Sequence, residues 1–380
     1  MVSLILKTNT MLFYLTRSLI VPSNDSAYNH IYKSICILAM QVESSQHLLT
    51  GDFDVIEYFR DIFKDNQIIG PLFNSIYQNY STAGVPKCVT FYIEIVNAIP
   101  IPERNVDGKW VRQLNFSHFD IPDKASSALL IGEDTNDAIF YEHILCWYKQ
   151  AYAPFAHHRL RRCHGGGVNT AREIASHLDQ GDILIAIIDT DKKYPSCAIK
   201  RDSTYDQCRK LVRTEPHYCL LPIDVHEIEN LIPRNYIDAC NDWSNQSSCD
   251  SICKSKIEML YADSENTLPF FDFKKGVLID DDVRNNAGYK EFARKCYDAR
   301  TDLKAIEPDF DMFLSNSSNN TEICPKLFGG SGLIKRIILL IDSNGCPQKP
   351  LLFPFQKDNW EKIGQSLLNW CICRNSERLY

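Results

Sequence analysis

The sequence predicts an α/β protein with a mostly parallel sheet flanked by helices, and three observations support this. Short apolar runs typical of buried strands alternate with helical patterns between residues 127 and 222. One of these runs, 183–188, is apolar at every position, as expected of a central parallel strand with both faces covered. Acidic residues follow three of the strands, where open parallel sheets carry their functional groups.

The middle region contains the regular alternation. Its predicted elements are a strand over 127–131, a helix over 137–150, a strand near 158–163, a helix from 170 to about 178, a strand over 182–189, a helix around 204–213 and a strand over 217–222. Thr135-Asn-Asp137 is a helix start signal. Gly165–Gly167 are interpreted as a strand-to-helix turn, since no Gly-Lys-Ser/Thr follows them as in a Walker A loop.

The flanking regions are less regular. Residues 1–124 are expected to form an N-terminal α+β accessory region, with a helix over 54–63, a strand over 88–96 and a turn or loop over 100–108. Residues 241–380 are expected to form a largely helical C-terminal region. Its patterns are a polar loop over 241–250, helices over 252–261 and 289–296, a loop over 315–321 and an apolar strand or helix over 333–341.

The composition is that of a soluble globular protein, with 44% hydrophobic and 23% charged residues among 380. No apolar run reaches the ~20 residues that a membrane-spanning helix needs. Residues 1–21 are apolar but interrupted by Lys7 and Arg17, and they lack the order of a signal peptide. We therefore expect this segment to be the first helix or strand of the fold, and the protein to be cytoplasmic.

The fifteen cysteines are scattered and odd in number, which favours reduced, mostly buried thiols over a disulfide framework. The closest groupings are Cys249 with Cys253 and Cys371 with Cys373. Neither has a second pair at zinc-finger spacing, so core thiols are the favoured interpretation and a zinc site the minor one.

The formal net charge of −7 argues against a protein that wraps nucleic acid with its whole surface. Local basic clusters are nevertheless present, and we interpret their members as candidate nucleic-acid-binding residues: Arg159, Arg161, Arg162, Lys192 and Lys193. For each cluster taken alone, a solvated charged face is at least as good an explanation.

Three acidic clusters carry the candidate chemistry: Glu133 with Asp134 and Asp137, Asp189 with Asp191, and Glu227 with Glu229. Converging carboxylates repel one another unless a cation joins them, and carboxylate oxygens suit Mg²⁺ or Mn²⁺. Two such ions ~4 Å apart would stabilise the attacking and leaving oxygens of a phosphodiester. Each cluster alone is better explained as a helix-terminal charge, a turn or a cap. Three in succession, each after its own strand, favour a metal site.

The segments that contain these residues resemble the TOPRIM domain. Residues 129–141 resemble its first motif, a strand followed by Glu and then by Asp four residues on, and residues 183–191 resemble its second, a strand that ends in Asp-x-Asp. Residues 226–232 are similar to the segment that follows in the OLD-like branch, which includes the standalone nuclease effectors of PARIS-type anti-phage systems. The resemblance covers about residues 125–275. Asp134 stands where the family usually has glycine, and Gly132 precedes the glutamate.

The resemblance implies a Rossmann-like TOPRIM catalytic domain over 125–240 and a metal-dependent endonuclease that cleaves DNA or tRNA as a toxic effector of antiviral defence. It implies these roles: Glu133 as metal ligand or general acid–base group, Asp189 and Asp191 as metal ligands with Asp137 nearby, Glu227 or Glu229 as the completing acid, and Lys274 or Lys275 as the lysine at the scissile phosphate. Lys335 is an alternative for the last role. The implied cofactor is Mg²⁺ or Mn²⁺, with two ions expected.

Two other functions stay open. One is a catalytically silent TOPRIM scaffold or sensing subunit, which Asp134 in the position of the glycine would favour. The other is a topoisomerase- or recombinase-like DNA-breaking subunit, although none of the eighteen tyrosines is placed as a nucleophile. OLD-like nucleases often act with an ABC-type ATPase, so we expect such a partner in trans, because residues 328–335 also lack a Walker A pattern. A homo-oligomer is left open.

Overall fold

The computed structural model describes residues 11–44, 46–80, 88–211, 216–240, 267–324, 332–343, 345–347 and 349–373. These residues divide into two compact units. The first takes in the described residues up to Ile187, those of Cys208–Leu221 and those from Lys362 on, and the second takes in the described residues of Ile188–Gln207 and Pro222–Glu361. Boundaries after 124 and 240 stay predictions, because proximity in the fold does not establish which segments fold alone.

The N-terminal part of the first unit is a five-stranded sheet with helices. Its elements are β1 (Leu12–Leu15), α1 (Tyr28–Glu43), β2 (Leu48–Gly51), α2 (Phe53–Phe63), α3 (Ile69–Gln78), β3 (Phe91–Val96), β4 (Arg104–Val106) and β5 (Lys109–Asn115). The strand order is β2-β1-β3-β5-β4, with β4–β5 antiparallel and the other pairs parallel. The prediction of a turn or loop over 100–108 is wrong in part, since β4 lies there. Asp107 and Gly108, with φ of 50° and 80°, form the two-residue hairpin turn that joins β4 to β5.

The predicted alternation of strands and helices is confirmed in the second sheet. Its elements are β6 (Leu129–Gly132), α4 (Thr135–Tyr152), β7 (His157–His158), β8 (Arg161–His164), α5 (Thr170–Gln180), β9 (Leu184–Ile188), α6 (Thr204–Leu211) and β10 (Tyr218–Pro222). The strand order is β10-β9-β6-β8; β6 runs parallel to both β8 and β9, and α4 packs against β6 and β8. β9 is buried at every position, as its apolar sequence predicts. The end of the predicted helix over 204–213 lies outside the described residues.

Helix α4 begins two residues earlier than predicted because Asp134 is its N-cap. The Asp134 side chain accepts a hydrogen bond from the Asn136 N–H at 2.9 Å, and the Asp137 carboxylate accepts one from the Asp134 N–H at 2.8 Å. This reciprocal capping box satisfies N–H groups that the first helical turn leaves without intrahelical partners.

In the turn after β6, Gly132 is the residue that neighbouring atoms approach too closely for a side chain. A Cβ at Gly132 would lie 2.8 Å from the Asp137 Cβ, and a Cβ at Gly165 would lie 2.5 Å from the Gly132 carbonyl oxygen. The Gly165 N–H donates to that same oxygen at 2.9 Å, which ties the turn after β8 to the turn after β6. Asp134 has extended backbone (φ −123°, ψ 162°) that any residue adopts. This turn therefore needs glycine before the glutamate and not after it.

The C-terminal region is largely helical over its described residues, as predicted. Its elements are α7 (Arg234–Cys240), β11 (Val277–Leu278), α8 (Asp281–Asn285), α9 (Ala287–Asp298), α10 (Thr301–Ile306), α11 (Phe310–Asn316), β12 (Glu322–Cys324), α12 (Gly332–Asp342), α13 (Pro354–Cys371) and β13 (Ile372–Cys373). β11 pairs with β12 and β13 pairs with β7, both antiparallel. The apolar segment 333–341 is thus helical. The polar loop over 241–250 and the helix over 252–261 fall outside the described residues.

Two sequence-based expectations concern the membrane and the thiols. Among the described helices, none combines the length and apolar character needed to cross a bilayer. The thirteen cysteines within the described residues form no disulfide bond there; five are buried and eight half-buried, so fewer lie in the core than predicted. Cys249 and Cys253 lie outside the described residues.

Replacing Gly132 tests the tight turn after β6. We expect Gly132→Ala to lower the free energy of unfolding by about 1–3 kcal/mol, because the added methyl forces the capping box apart. Urea denaturation measures the change. The matched control is Gly332→Ala at the start of α12, where the methyl meets no described atom within 4 Å and stability should hold or rise. Equal stabilities of Gly132→Ala and the wild type would contradict this account of the turn.

Candidate functional site

The chain after β10 is held against the chain after β9 by hydrogen bonds to its backbone. The Thr190 hydroxyl donates to the carbonyl oxygens of Ile223 at 3.1 Å and Val225 at 3.0 Å. The Asp191 N–H donates to the His226 carbonyl oxygen at 3.2 Å, and Asp191 itself has left-handed backbone with φ of 52°. The Asp-Thr-Asp motif therefore lies along residues 223–226.

Buried polar side chains fix the backbone of residues 227–232. The Asn230 amide donates to the carbonyl oxygens of Leu268 at 2.6 Å and Phe271 at 2.9 Å. From α13, the Gln356 amide donates to the carbonyl oxygens of Asn230 and Ile232, and the Trp360 indole donates to that of Leu231 at 2.9 Å. Since each of these carbonyls is buried or nearly so, the bonds remove a desolvation cost and hold the segment in one conformation.

Two buried carboxylates share one lysine in this frame. The Lys274 Nζ lies 2.9 Å from the Glu227 Oε2 and 3.1 Å from the Glu229 Oε1. The Glu227 Oε1 accepts a hydrogen bond from the Phe273 N–H at 3.1 Å. The Glu229 Oε2 is buried and has no hydrogen-bond partner among the described residues. A buried carboxylate oxygen in that condition is costly, and a further cation beside it would offset the cost.

The pKa values of Glu227 and Lys274 are both raised, as expected where two carboxylates share one ammonium. Burial, together with the neighbouring Glu229 carboxylate, raises the pKa of Glu227 to about 7, although Lys274 opposes the rise. Burial alone would lower the pKa of the Lys274 ammonium, but the Glu229 and Glu227 carboxylates outweigh it and raise that pKa well above its ordinary value. One ammonium thus offsets only part of the charge of two carboxylates.

His226 and Asp272 extend the cluster on its other side. The His226 Nδ1 lies 3.0 Å from the Lys192 carbonyl oxygen, so Nδ1 carries the donated proton and Nε2 faces the Asp272 Oδ2 at 3.4 Å. Asp272 also accepts the backbone N–H groups of Lys274 and Lys275 at 2.9 and 2.7 Å. Burial opposes both ionised forms, but the partners prevail: the pKa of His226 is raised and that of Asp272 falls to about 2.

This group fits a divalent cation. One ligand atom each from His226, Glu227 and Asp272 lies within 4.8 Å of the other two. The His226 ring is oriented by a backbone carbonyl through its other nitrogen, as metal-binding histidines are. Imidazole beside carboxylates suits Mn²⁺ better than Mg²⁺. Because Lys274 already contacts Glu227, a cation at this group would compete with its ammonium.

The other four predicted metal ligands, Glu133, Asp137, Asp189 and Asp191, are not part of this group. Glu133 is half-buried directly after β6. Burial of the Cys208 thiol, and to a smaller extent the Glu133 carboxylate, raise the pKa of Cys208 to about 12. Asp137 caps α4. Asp189 is half-buried and Asp191 exposed. Among the described residues, the cluster of His226, Glu227 and Asp272 is the metal-type group that the structure forms, and it does not include these four.

The predicted lysines differ in environment. Lys274 is held between the two glutamates, whereas the Lys275 side chain is 81% exposed and its Nζ lies 3.6 Å from Asp272. The structure therefore brings Lys274, and not Lys275, to the two glutamates, while the role of either lysine at a scissile phosphate stays a prediction. Lys335 lies on α12.

The predicted nucleic-acid-binding residues have partners within their own units. Arg161 pairs with Asp182 at 2.6 Å and Arg162 with Glu142 at 2.6 Å, while the Arg159 guanidinium donates to the Ser44 carbonyl oxygen. Lys193 lies 2.7 Å from Asp282, and Lys192 lies 3.8 Å from Asp224. Pairs this exposed are weak, so a phosphate could replace the carboxylate. Nucleic-acid binding by these residues stays a prediction.

His226 and Asp272 were not predicted as site residues. His226 stands in the segment similar to the OLD-like branch, and Asp272 precedes the candidate lysines, so both were close to recognised signals. Their pairing depends on the fold, because no spacing rule relates two residues this far apart in the chain.

Comparison with protein-family models, curated proteins and solved structures found no match for this chain. The resemblance to TOPRIM therefore rests on the sequence motifs. The fold established here is α/β, with mostly parallel sheets and helices packed beside them.

Removing the lysine tests the shared-ammonium geometry. We expect Lys274→Met to lower the free energy of unfolding at pH 8 by roughly 2 kcal/mol, because two buried carboxylates lose their counter-charge. This is less than for a fully buried pair, since the lysine side chain is 37% exposed. Urea denaturation measures the loss.

The matched control is Lys275→Met, the exposed neighbour, whose effect should stay within about 0.5 kcal/mol. Adding Glu229→Gln to Lys274→Met should recover part of the loss, because it removes the repulsion between the carboxylates. Equal effects of the two lysine substitutions would rule out the shared ion pair.

The raised pKa of Glu227 predicts a pH dependence of stability. Its folded pKa of about 7 exceeds the ordinary 4.5, so its contribution is complete below pH 4.5 and is lost as pH rises through 7. We expect wild type to lose stability relative to Glu227→Gln between pH 5 and pH 8. His226, with a raised pKa that partly reflects Glu227, acts in the same direction.

The measurement is urea denaturation at several pH values in EDTA. The control is Asp302→Asn: Arg300 lowers the pKa of Asp302 to about 2, so this contribution is lost only below about pH 4 and is constant from pH 5 to 8. A difference between wild type and Glu227→Gln that is equally flat would refute the buried, charge-coupled state of Glu227.

Proposed function

We propose that this protein is a nuclease dependent on Mn²⁺ or Mg²⁺ that hydrolyses phosphodiester bonds in DNA or tRNA. One observation carries the proposal: two buried glutamates share a single ammonium, and the Glu229 Oε2 has no partner among the described residues. Such a surplus of buried negative charge is costly unless the site binds a cation.

The residues divide the work by their positions. Glu227, Asp272 and His226 would hold the cation, with Glu229 supplying a further carboxylate oxygen beside them. Bound there, a divalent ion would polarise the phosphodiester and lower the pKa of a water nucleophile. Lys274, 37% exposed and fully charged at neutral pH, would offer its ammonium to a phosphate oxygen.

The Asp-Thr-Asp segment supports this assignment. One backbone hydrogen bond joins Asp191 to His226, and the TOPRIM resemblance assigns metal binding to Asp189 and Asp191. Glu133 lies in the first unit, and a catalytic role for it rests on the resemblance alone. A role as a defence effector, with an ABC-type ATPase in trans, rests on the OLD-like resemblance alone.

A second candidate, the catalytically silent scaffold, is favoured by one observation. Lys274 already bonds both glutamates, and Glu227 and Asp272 accept backbone N–H groups of the chain that carries this lysine. In that case the ion pairs and hydrogen bonds of the cluster only hold residues 226–232 against residues 271–275, and the cluster binds no divalent ion.

Divalent-ion binding separates the two candidates. For the nuclease, we expect millimolar Mn²⁺ to raise the Tm of the wild type by several degrees, because the ion binds only the folded state. Glu229→Gln with Asp272→Asn should lose the shift, whereas Glu291→Gln, an exposed glutamate on α9 of the same unit, should keep it. A wild-type Tm unmoved by Mn²⁺ and Mg²⁺ would support the scaffold and reject the nuclease.

Cleavage tests the chemistry. Plasmid, single-stranded DNA and total tRNA are incubated with Mn²⁺ or Mg²⁺, with and without a candidate ATPase partner. We expect cleavage to fall at least 100-fold in Glu229→Gln, in Lys274→Met and in Glu133→Ala with Asp189→Ala, and to persist in Glu291→Gln. Cleavage that survives in all of the first group would show that the nuclease site is assigned to the wrong residues.

A further inference from the structure

A second cluster of reactive side chains lies in the first unit, at β8 and the end of α5. The Cys163 Sγ lies 3.5 Å from the His177 Nε2, and the His177 Nδ1 lies 2.8 Å from the Asp182 Oδ2. The other Asp182 oxygen accepts a hydrogen bond from the Arg161 guanidinium at 2.6 Å. Thiol, imidazole and carboxylate thus stand in one hydrogen-bonded row, with an arginine behind the carboxylate.

The local fold holds the imidazole and the carboxylate in place. His177 is in the last turn of α5, and Gly181, with a φ of 78°, ends the helix in the left-handed conformation. The chain then turns back, so that the Asp182 N–H donates to the His177 carbonyl oxygen at 3.0 Å. The Asp182 side chain is only 11% exposed, and Arg161 also donates to the Ser127 carbonyl oxygen. The base and its orienting acid are therefore fixed by one short turn.

The order of the atoms is that of a nucleophile, a general base and an orienting acid. The ring nitrogen toward the carboxylate is Nδ1 and the one toward the thiol is Nε2, so the carboxylate selects the tautomer whose Nε2 can accept a proton. We propose that Cys163, His177 and Asp182 form a nucleophilic thiol site that accepts acyl groups from esters. The proposal is separate from the nuclease, since the metal-type group of His226, Glu227 and Asp272 lies in the second unit.

The thiol needs this base. Burial, and after it the Glu173 carboxylate, raise the pKa of Cys163 above its ordinary value, so the thiol is protonated at neutral pH. As the bond from Sγ to the ester carbonyl carbon forms, His177 Nε2 takes the thiol proton. The carbon–oxygen bond to the leaving group then breaks, and Nε2 returns the proton to that oxygen. Water hydrolyses the thioester to the carboxylic acid and restores the thiol.

Acetylation and alkylation of the full-length protein test the site. p-Nitrophenyl acetate should release a burst of nitrophenolate, with the acetyl group found on the Cys163 peptide by mass spectrometry and the burst absent in Cys163→Ala. Limiting iodoacetamide should alkylate Cys163 at least tenfold faster than Cys197, another half-buried thiol, whose hydrogen bond is to the Ala198 carbonyl oxygen and which pairs with no imidazole among its described contacts.

The variants separate base catalysis from simple exposure. His177→Gln should slow alkylation of Cys163 at least tenfold, Asp182→Asn should slow it less, and neither should change the rate at Cys197. An unchanged rate at Cys163 in folded His177→Gln overturns the proposal. If both variants lose their cooperative unfolding transition, the wild type decides: equal rates at Cys163 and Cys197, or acetyl found on another residue, overturn it.

Discussion

The second unit depends on one electrostatic constraint, which is that two buried glutamates must share the ammonium of Lys274. Both carboxylates are held in place, because Glu227 also accepts a backbone hydrogen bond from Phe273 and Glu229 is almost fully buried. If the Lys274 ammonium moved away, the repulsion between the two carboxylates would no longer be offset. Residues 226–232 and 271–275 are therefore joined by charge as well as by packing, and the positions of His226 and Asp272 follow from that junction.

Neutral hydrogen bonds make this charged junction possible. Asn230, Gln356 and Trp360 satisfy five backbone carbonyls around it and fix the carboxylates before any ligand arrives. A site whose backbone is already fixed by hydrogen bonds loses little conformational entropy when a cation or a phosphate binds. The same rigidity would serve the catalytically silent scaffold, which is why divalent-ion binding, and not the geometry alone, separates the two functions.

The local features of the fold could be predicted from the sequence. The apolar run of β9 and the start signal of α4 gave the right elements, since burial and capping depend on neighbouring residues. Lys274 was one of three candidates for a lysine at the scissile phosphate, and its ion pairs with Glu227 and Glu229 were not predicted. The pairing of His226 with Asp272 could not be predicted, because it is set by how distant segments fold together. Asp137 shows the opposite case: its carboxylate, expected to bind metal, accepts the N–H of Asp134 at the start of its own helix.

The two arginines of β8 show how a strand without large buried apolar residues keeps its alignment. Successive side chains of a strand point to opposite faces, and Arg161 and Arg162 each reach a carboxylate on a different element, Asp182 before β9 and Glu142 on α4. A slip of one residue against β6 would turn both guanidinium groups to the wrong face and break both pairs at once. The two ion pairs thus add to the backbone ladder in favouring this register, in a strand that has no buried side chain to supply a hydrophobic pattern. The same slip would move Cys163 away from His177, so the ion pairs of Arg161 and Arg162 also help to keep the thiol next to the imidazole.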